Sequence, residues 1–521
     1  MKANYRIGID VGGTNTDAVI MLDDAVLAAT KQPTSEDVTT GVQQALKAVL
    51  AESGIADHDI KAVMIGTTHF TNAVVERKHL TRTGVIRVCL PATLSVPPFI
   101  DWPGDILKLV DGGRYLVKGG FEFDGRMINP LDEAEIVRIA GELKEKGIQA
   151  VAVNCVFSPV NDSSEQRVKQ LIHEIHPECD VVLSNEVGRI GLLERESAAV
   201  LNASLRKLSR KTVQAFGNAL ESCGLNCPFF ITQNDGTLMS AEFVERFPVL
   251  TFASGPTNSM RGAVFLSGEQ DAIVVDIGGT TTDVGLVQQG FPRQAAMSVD
   301  VGGIRTNFRM PDMVSVGLGG GSMVFPHGEG AERAVAIGPE SVGYRITEKA
   351  RVFGGDTLTA TDIAVASGRA EVGDASKVAN LDKETLSLAL AEIDRMIQDT
   401  VEKNRLSAAK IPVIVVGGGS ILAPDQIGDL TTLRPNHFSV ANAVGAAIAQ
   451  VSGEVDRIFS LAEMSRDDAL NQARAAATEK AIEAGAKADT ISLVDQEDIP
   501  LAYLPGNATR IRVKVVGDLE F

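Results

Sequence analysis

Apolar, β-branched runs alternate along the chain with stretches of helical spacing, the pattern of an α/β protein. Strands are predicted at Arg6 to Asp10 and Ala18 to Leu22, with a Gly-Gly-Thr turn between them, which is a hairpin. The same arrangement recurs at Ile273 to Asp276 and Val284 to Val287. Val38, Val42, Leu46 and Val49 predict a helix from about Ser35 to Glu52. Strands follow at Ala62 to Ile65 and Thr83 to Val88, and then a Pro-rich stretch (Pro91, Pro97, Pro98, Pro103) holding Trp102, read as an insertion or crossover loop. From Pro130 to Asp180 the order is helix, strand (Ala150 to Cys155), helix, strand (Val181 to Leu183), and a long helix from near Leu193 to about Cys223 leads into the second half.

Further on, a strand at Phe229 to Thr232 precedes the second hairpin, and an apolar strand from Ile411 runs into Gly417, Gly418 and Gly419. Ala441 to Ala449 is a helix of small residues suited to tight packing between domains. A helix rich in Ala, Glu and Lys from about Leu461, then strands near Ile491 to Val494 and Ile511 to Val516, complete the pattern. A chain of 521 residues with 44% hydrophobic content holds two or three cores. The expected division is 1–190, 191–455 and a small α/β element at 456–521.

The hairpin turns carry the chemistry. Asp10-Val-Gly-Gly-Thr-Asn-Thr-Asp17 and Asp276-Ile-Gly-Gly-Thr-Thr-Thr-Asp283 agree at six of eight positions. A diglycine presents bare N–H groups to an anion, and threonine hydroxyls add donors without bulk. Gly12, Gly13, Thr14, Asn15 and Thr16, with Gly278, Gly279, Thr280 and Thr281, therefore read as a grip on the phosphates of a nucleotide triphosphate, expected to be ATP. Carboxylates cannot bind phosphate directly, so Asp10 and Asp276 are expected to hold magnesium through water or to position an attacking hydroxyl. Asp17 and Asp283 either cap the turns or touch the metal. No Gly-Lys-Ser/Thr follows, which excludes a Walker loop.

Taken together, two phosphate hairpins, a strand ending in three glycines and a closing small-residue helix resemble the acetate and sugar kinase, heat-shock chaperone and actin superfamily. More narrowly, the chain resembles the hydantoinase A and 5-oxoprolinase family. The residues behind this are Gly12 to Asp17, Gly66-Thr-Thr-His-Phe-Thr-Asn-Ala73, Glu194-Arg-Glu-Ser197, Asn234-Asp-Gly-Thr-Leu-Met-Ser240, Ser254-Gly-Pro256, the second hairpin and Gly317-Leu-Gly-Gly-Gly-Ser322. His69-Phe70 and Gly-Tyr344 depart from the family pattern, and the chain matches a short form without the usual C-terminal domain.

The resemblance implies two facing actin-like (ribonuclease H-like) ATPase domains with ATP and magnesium in a central cleft, and the purine near Gly417, Gly418 and Gly419. It implies an ATP-hydrolysing hydrolase that phosphorylates and opens a cyclic amide of the hydantoin or 5-oxoproline type, working with a second dissimilar subunit or as a homo-oligomer. Thr67, Thr68 and Asn72 are candidates for the substrate wall, and His69 is either an acid–base group or a structural residue of a polar loop. Arg195 and Glu196 are substrate candidates by resemblance alone. The same scaffold also serves ATP-dependent carboxylases of ketones and chaperone-like ATPases that reactivate a partner enzyme. A sugar kinase would need an Asp base at a helix start, and none stands out.

A formal net charge of −18 argues against nucleic acid as a partner. Absence of a long apolar run and an early first strand point to a cytoplasmic protein without a membrane span. The five cysteines read as free buried thiols, and His173 and His176 as solvated helix residues rather than zinc ligands alongside Cys179.

Overall fold

A computed structural model describes residues 4–34, 38–295, 298–328, 330–405, 411–462, 464–502 and 506–520. The fold is α/β, with two facing domains each built on one of the hairpins. In the first sheet the strands run Ala25–Pro33, Asn15–Leu22, Tyr5–Val11, Ile60–Thr67, Phe229–Thr232, Thr237–Ser240, Gln450–Ser460, Ala508–Gly517 and Ser492–Pro500. In the second, Ala272–Ile277 pairs with its hairpin partner Thr282–Gln288 on one side and in parallel with Val413–Val416 on the other. Both sheets thus place a hairpin strand beside a parallel strand.

In Ala272–Ile277 buried Val274 faces away from Ile273, Val275 and Ile277, so that strand is apolar at successive positions and covered on both faces. In Tyr5–Val11 the apolar side chains Ile7, Ile9 and Val11 share one face. Ile7, Ile9, Val11, Ile273, Val275 and Ile277 are all buried, each such side chain contributing about 1.5–3 kcal/mol. One cover is the helix Val38–Ser53; Ser35, the predicted helix start, lies outside the described residues. The 31-residue helix Leu192–Ser222 buries Leu201, Leu205, Leu208, Val213, Phe216 and Leu220 along one stripe, close to the predicted span.

Thr83–Leu90, Asp111–Lys118, Ala150–Cys155 and Asp180–Leu183 form a separate, all-parallel sheet. The Pro-rich stretch is the crossover between the first two of these strands, and Trp102 is buried in it with Nε1 donating to Ser197 Oγ at 3.1 Å.

The strand Gln450–Ser460 was not expected, although its burial alternates strictly over its first six residues. Gly453 obscures the pattern, and the structure shows why it is there: a Cβ would lie 1.9 Å from Ala477 O of the covering helix Arg466–Glu483. The C-terminal strands continue the first domain's sheet, so position 455/456 falls inside a strand. Position 190/191 falls at the approach to the long helix.

The small-residue helix Ala441–Ala447 packs where expected, between the two halves. A Cβ on Gly445 would meet Asn258 O at 1.8 Å, one on Gly262 would meet Ala441 O at 1.9 Å, and one on Gly8 would meet Ala443 O at 2.1 Å. Backbone contact there packs Ala441–Ala447 onto the first hairpin strand and against helix Ser254–Ser267, which in turn lies on the second hairpin's strands.

Candidate functional site

The register of each hairpin puts its two carboxylates opposite one another. Asp10 pairs with Asp17 and Asp276 with Asp283 across the strands, so each pair shares a face, an arrangement that is destabilising for like charges. In the first hairpin three groups offset the repulsion. Lys31 Nζ donates to both Asp17 oxygens at 2.5 and 2.6 Å, Asn442 Nδ2 to Asp10 at 3.1 Å and Asp17 at 2.8 Å, and Asn258 Nδ2 to Asp10 at 3.3 Å. Burial, with Asp17 nearby, still pushes Asp10 up to about 6. In the second hairpin burial raises Asp276, eased by the Ser259 hydroxyl. It also raises Asp283 to about 6, eased by a hydrogen bond from Ser315.

The two turns close identically, Gly12 N donating to Asn15 O at 3.0 Å and Gly278 N to Thr281 O at 2.9 Å. They face one another: a Cβ on Gly279 would lie 3.4 Å from the Thr14 side chain. Turn residues 12–15 and 278–281 line one cavity of about 380 Å³, together with Asp17, Asp276, Gly417 and Gly418. Asp10 sits buried just behind this wall under Asn258 and Asn442.

Several expected site residues lie elsewhere. Thr16 is fully buried and its hydroxyl meets Thr34 Oγ1, which in turn bonds Gly12 O, so it braces the turn from behind. Asp283 faces Ser315 rather than the cavity. Gly419 donates its N–H to Ile277 O at 2.7 Å and is tied to the strand end. Gly417, at φ +89°, abuts Asp276, since a Cβ would lie 2.3 Å from Asp276 Oδ1, and Gly417 and Gly418 line the cavity.

Arg195 and Glu196 are corrected from substrate groups to core ties. Glu196 takes both Arg87 donors at 2.6 Å, and Arg195 donates to Ser184 Oγ and to the carbonyls of Cys155, Arg189 and Ile190. Both are buried, and ionised groups that deep must be paired.

Thr67, Thr68, His69 and Asn72 follow Gly66, the strand partner of Asp10, and do not line the cavity. Ser254 Oγ donates to Thr67 O, and a Cβ on Gly255 would lie 3.5 Å from Thr68 Cγ2 and 3.7 Å from Asp10. Asn72 Nδ2 reaches Thr68 Oγ1 at 3.4 Å. His69 opens the helix His69–Val75, half-buried with its ring edge-on to Phe70, and burial with His79 nearby lowers its pKa.

The sequence reading missed Lys31, Ser259 and Asn442 on the cavity wall. Asn442 is the sole polar residue between Ala441 and Ala449, which was the available signal. Tyr344, noted only as a departure, also lines the cavity and is 65% exposed. His176 is buried with Nε2 at 3.1 Å from Ile148 O, not on a helix surface. All five cysteines are free thiols, Cys89, Cys155 and Cys179 buried as expected and Cys223 and Cys227 only partly so. Among the described residues no His, Cys, Asp or Glu cluster could chelate a metal directly, and no helix is long and apolar enough to cross a membrane.

Two family models match this chain, the hydantoinase/oxoprolinase N-terminal region over residues 6–176 and hydantoinase/oxoprolinase over 195–402. The acetophenone carboxylase gamma subunit of Aromatoleum aromaticum is 27% identical over 456 residues, 79% of this chain and 61% of that one. The caprolactamase subunit alpha of Pseudomonas jessenii is 28% identical over 402 residues, 70% of this chain and 55% of that one. The chain thus spans less than two thirds of the length of either relative. Its fold is shared with the crystal structure of the ATP-dependent caprolactamase from Pseudomonas jessenii, at a TM-score of 0.79 and 19% identity over 99% of this chain and 88% of that chain. Each match includes one of the twin hairpins, and from both together the chain belongs to the hydantoinase/oxoprolinase family.

Proposed function

We propose that the protein is the ATP-hydrolysing subunit of a cytoplasmic enzyme that phosphorylates and opens a cyclic amide. The observation that carries this reading is the opposition of the two glycine turns across one cavity, Gly279 against Thr14, with a carboxylate beside each. Turns of this kind offer N–H donors to an anion from both sides, the positioning role that phosphoryl transfer needs. Free thiols suit a reducing compartment.

The donor set fits magnesium. Lys31 pairs with Asp17 and acts on Asp276, Asp10 is held only by amides, and among the described residues Asn258 Oδ1 is a buried acceptor without a partner. A magnesium ion keeps most of its waters, so Asp10 and Asp276 would hold it through them, and when bound it would neutralise phosphate charge. The amides of residues 13–14 and 279–280 and the hydroxyls of Thr14, Thr280 and Thr281 would orient the triphosphate. Thr68, close to Asp10, would set the amide oxygen near the γ-phosphate, with the buried Thr67 bracing that loop. Transfer of that phosphoryl group to the amide oxygen removes the resonance that protects the ring. Water then adds at the imidate carbon, the ring C–N bond breaks with a proton passing to the departing amine, and a second water hydrolyses the resulting acyl phosphate to carboxylate and phosphate.

A ketone carboxylase is the second reading, supported by the near-equal identity to the acetophenone carboxylase and caprolactamase subunits. Both relatives are named as subunits, which supports a dissimilar partner here. Phosphate release measured over lactams, hydantoins, and ketones with bicarbonate, with and without a partner subunit, tests these readings. Acceleration by a cyclic amide is expected; acceleration by ketones alone favours the carboxylase, and failure to bind nucleotide removes both.

A further inference from the structure

The all-parallel sheet has its own crevice, far along the chain from either hairpin. From Thr83–Leu90 the chain steps outward to Asp111–Lys118, then crosses back to add Ala150–Cys155 on the other side. Strand order therefore reverses between Thr83–Leu90 and Ala150–Cys155, and open parallel sheets bind ligands outside the carboxyl ends of their strands at such a point. A cavity of about 1000 Å³ lies beside that point, outside the carboxyl ends of Ala150–Cys155 and Asp180–Leu183. One wall comes from segments that leave the carboxyl ends, including Ser158, Asp162 and Glu186; the other is the strand Gln450–Ser460 with Arg510 of its neighbour.

Much of the charge around this cavity is internally matched. Arg510 Nε and Nη2 donate to Asp456, Glu454 pairs with Arg309, and Asp124 pairs with Arg126. Arg189 is not matched: among the described residues it has no ion pair, and its Nη2 is buried without a hydrogen-bond partner. Burial and the neighbouring Arg512 lower its pKa to about 10 against the pull of Asp456 and Glu497, which are themselves paired to Arg510 and Arg512, so the guanidinium stays charged at neutral pH with no carboxylate bonded to it. On the same cavity Asp162 accepts only from the amides of Gln166 and Asn185, and Glu186 has only a loose pair, 3.7 Å from Arg246. Arg189, with a buried donor free, thus shares a polar crevice with two carboxylates bonded only to amides or a distant arginine; Arg457 and Lys480, also without ion pairs among the described residues, line the same cavity, Lys480 bonding the Glu454 carbonyl.

The geometry points to a binding site for a small open-chain amino acid, its carboxylate on Arg189 and its ammonium toward Asp162 and Glu186. A guanidinium takes a carboxylate through two parallel donors, and the opposed charges select against a simple anion. Opening a cyclic amide yields one carboxylate and one ammonium on the same molecule, so the ligand has the charge pattern of the product; this identification rests on the function proposed above. The crevice is then a product site separate from the hairpin cavity.

Calorimetry with 6-aminohexanoate, hexanoate and hexylamine on the whole chain tests it. Saturable uptake of 6-aminohexanoate is expected, with hexanoate weaker and hexylamine undetected. Arg189→Gln should weaken 6-aminohexanoate at least tenfold while melting temperature and basal ATP hydrolysis stay unchanged, and Glu186→Gln should weaken 6-aminohexanoate but not hexanoate. No saturable uptake, equal uptake by Arg189→Gln, or hexylamine binding as well as the zwitterion would overturn the site. Lactam-stimulated ATP hydrolysis is scored separately: its loss removes the proposed function, whereas Arg189-dependent uptake stands without it.

Discussion

Asn442 donates to Asp10 Oδ2 at 3.1 Å across 432 residues of chain, and the same amide nitrogen reaches Asp17 Oδ2 at 2.8 Å. One side chain from the interdomain helix thus stands between two carboxylates that the hairpin register sets opposite each other. Hydrogen bonds to charged groups are worth about 1.5–3 kcal/mol each. Asn442→Ala is expected to destabilise the protein by a few kcal/mol and to abolish ATP hydrolysis, and Asn442→Asp to do worse by adding a third carboxylate. Chemical denaturation checks this; an unchanged midpoint in Asn442→Ala would show that the amide does not offset the repulsion.

Stability should also depend on pH through Asp10. Its folded pKa of about 6 lies above the ordinary carboxylate value, so between about pH 4 and 6 the folded state holds a proton that the unfolded chain has released. That contribution is largest at acid pH and is lost as pH rises through 6. Asp10→Asn should therefore gain stability relative to wild type as pH goes from 5 to 8, by on the order of 1–3 kcal/mol. Paired urea melts across this range measure the difference, and a difference that is flat with pH contradicts it.

Adjacent glycines of the triglycine should respond very differently. Gly417 has φ +89° and no room, its Cβ position being 2.3 Å from Asp276 Oδ1, whereas a Cβ on Gly418 meets nothing within 4 Å. Gly417→Ala is expected to cost about 1–3 kcal/mol and to displace Asp276, with loss of ATP turnover. Gly418→Ala should retain both stability and turnover. Equal behaviour of the two variants would count against the placement of Asp276 beside this turn.

The Arg87–Glu196 pair separates a core tie from a substrate group. Removing one partner of a buried pair leaves an uncompensated charge and costs about 3–5 kcal/mol, while replacing both by apolar residues is often neutral. Glu196→Met should unfold or strongly destabilise the protein, and Arg87→Met with Glu196→Met should recover stability and ATP-dependent activity. A double variant that is stable yet inactive only toward the ring substrate would return Glu196 to the substrate site.

Local pattern made the twin hairpins readable, because a turn is chosen by a few adjacent residues: the glycines, the threonines and the β-branched runs beside them. Ala441 to Ala449 was readable as a packing helix for the same reason, since small side chains permit only one kind of contact. Gln450–Ser460 escaped because Gly453 answers to a helix that crosses it from residues 466–483. Arg195 and Glu196 were misread because a motif names residue types and not their neighbours, and Arg87, which binds Glu196, lies 109 residues away.

The sequence by itself determined two phosphate-type turns, the strands that flank them and the α/β class, all short-range properties of the chain. Only the tertiary structure decided that the turns face each other at Gly279 and Thr14, that Asp10 is pressed toward its protonated form, and that Asn258 and Asn442 offset its charge. The electrostatics of a buried carboxylate depend on every group within a few ångströms, and folding brings those groups from places that no local pattern connects.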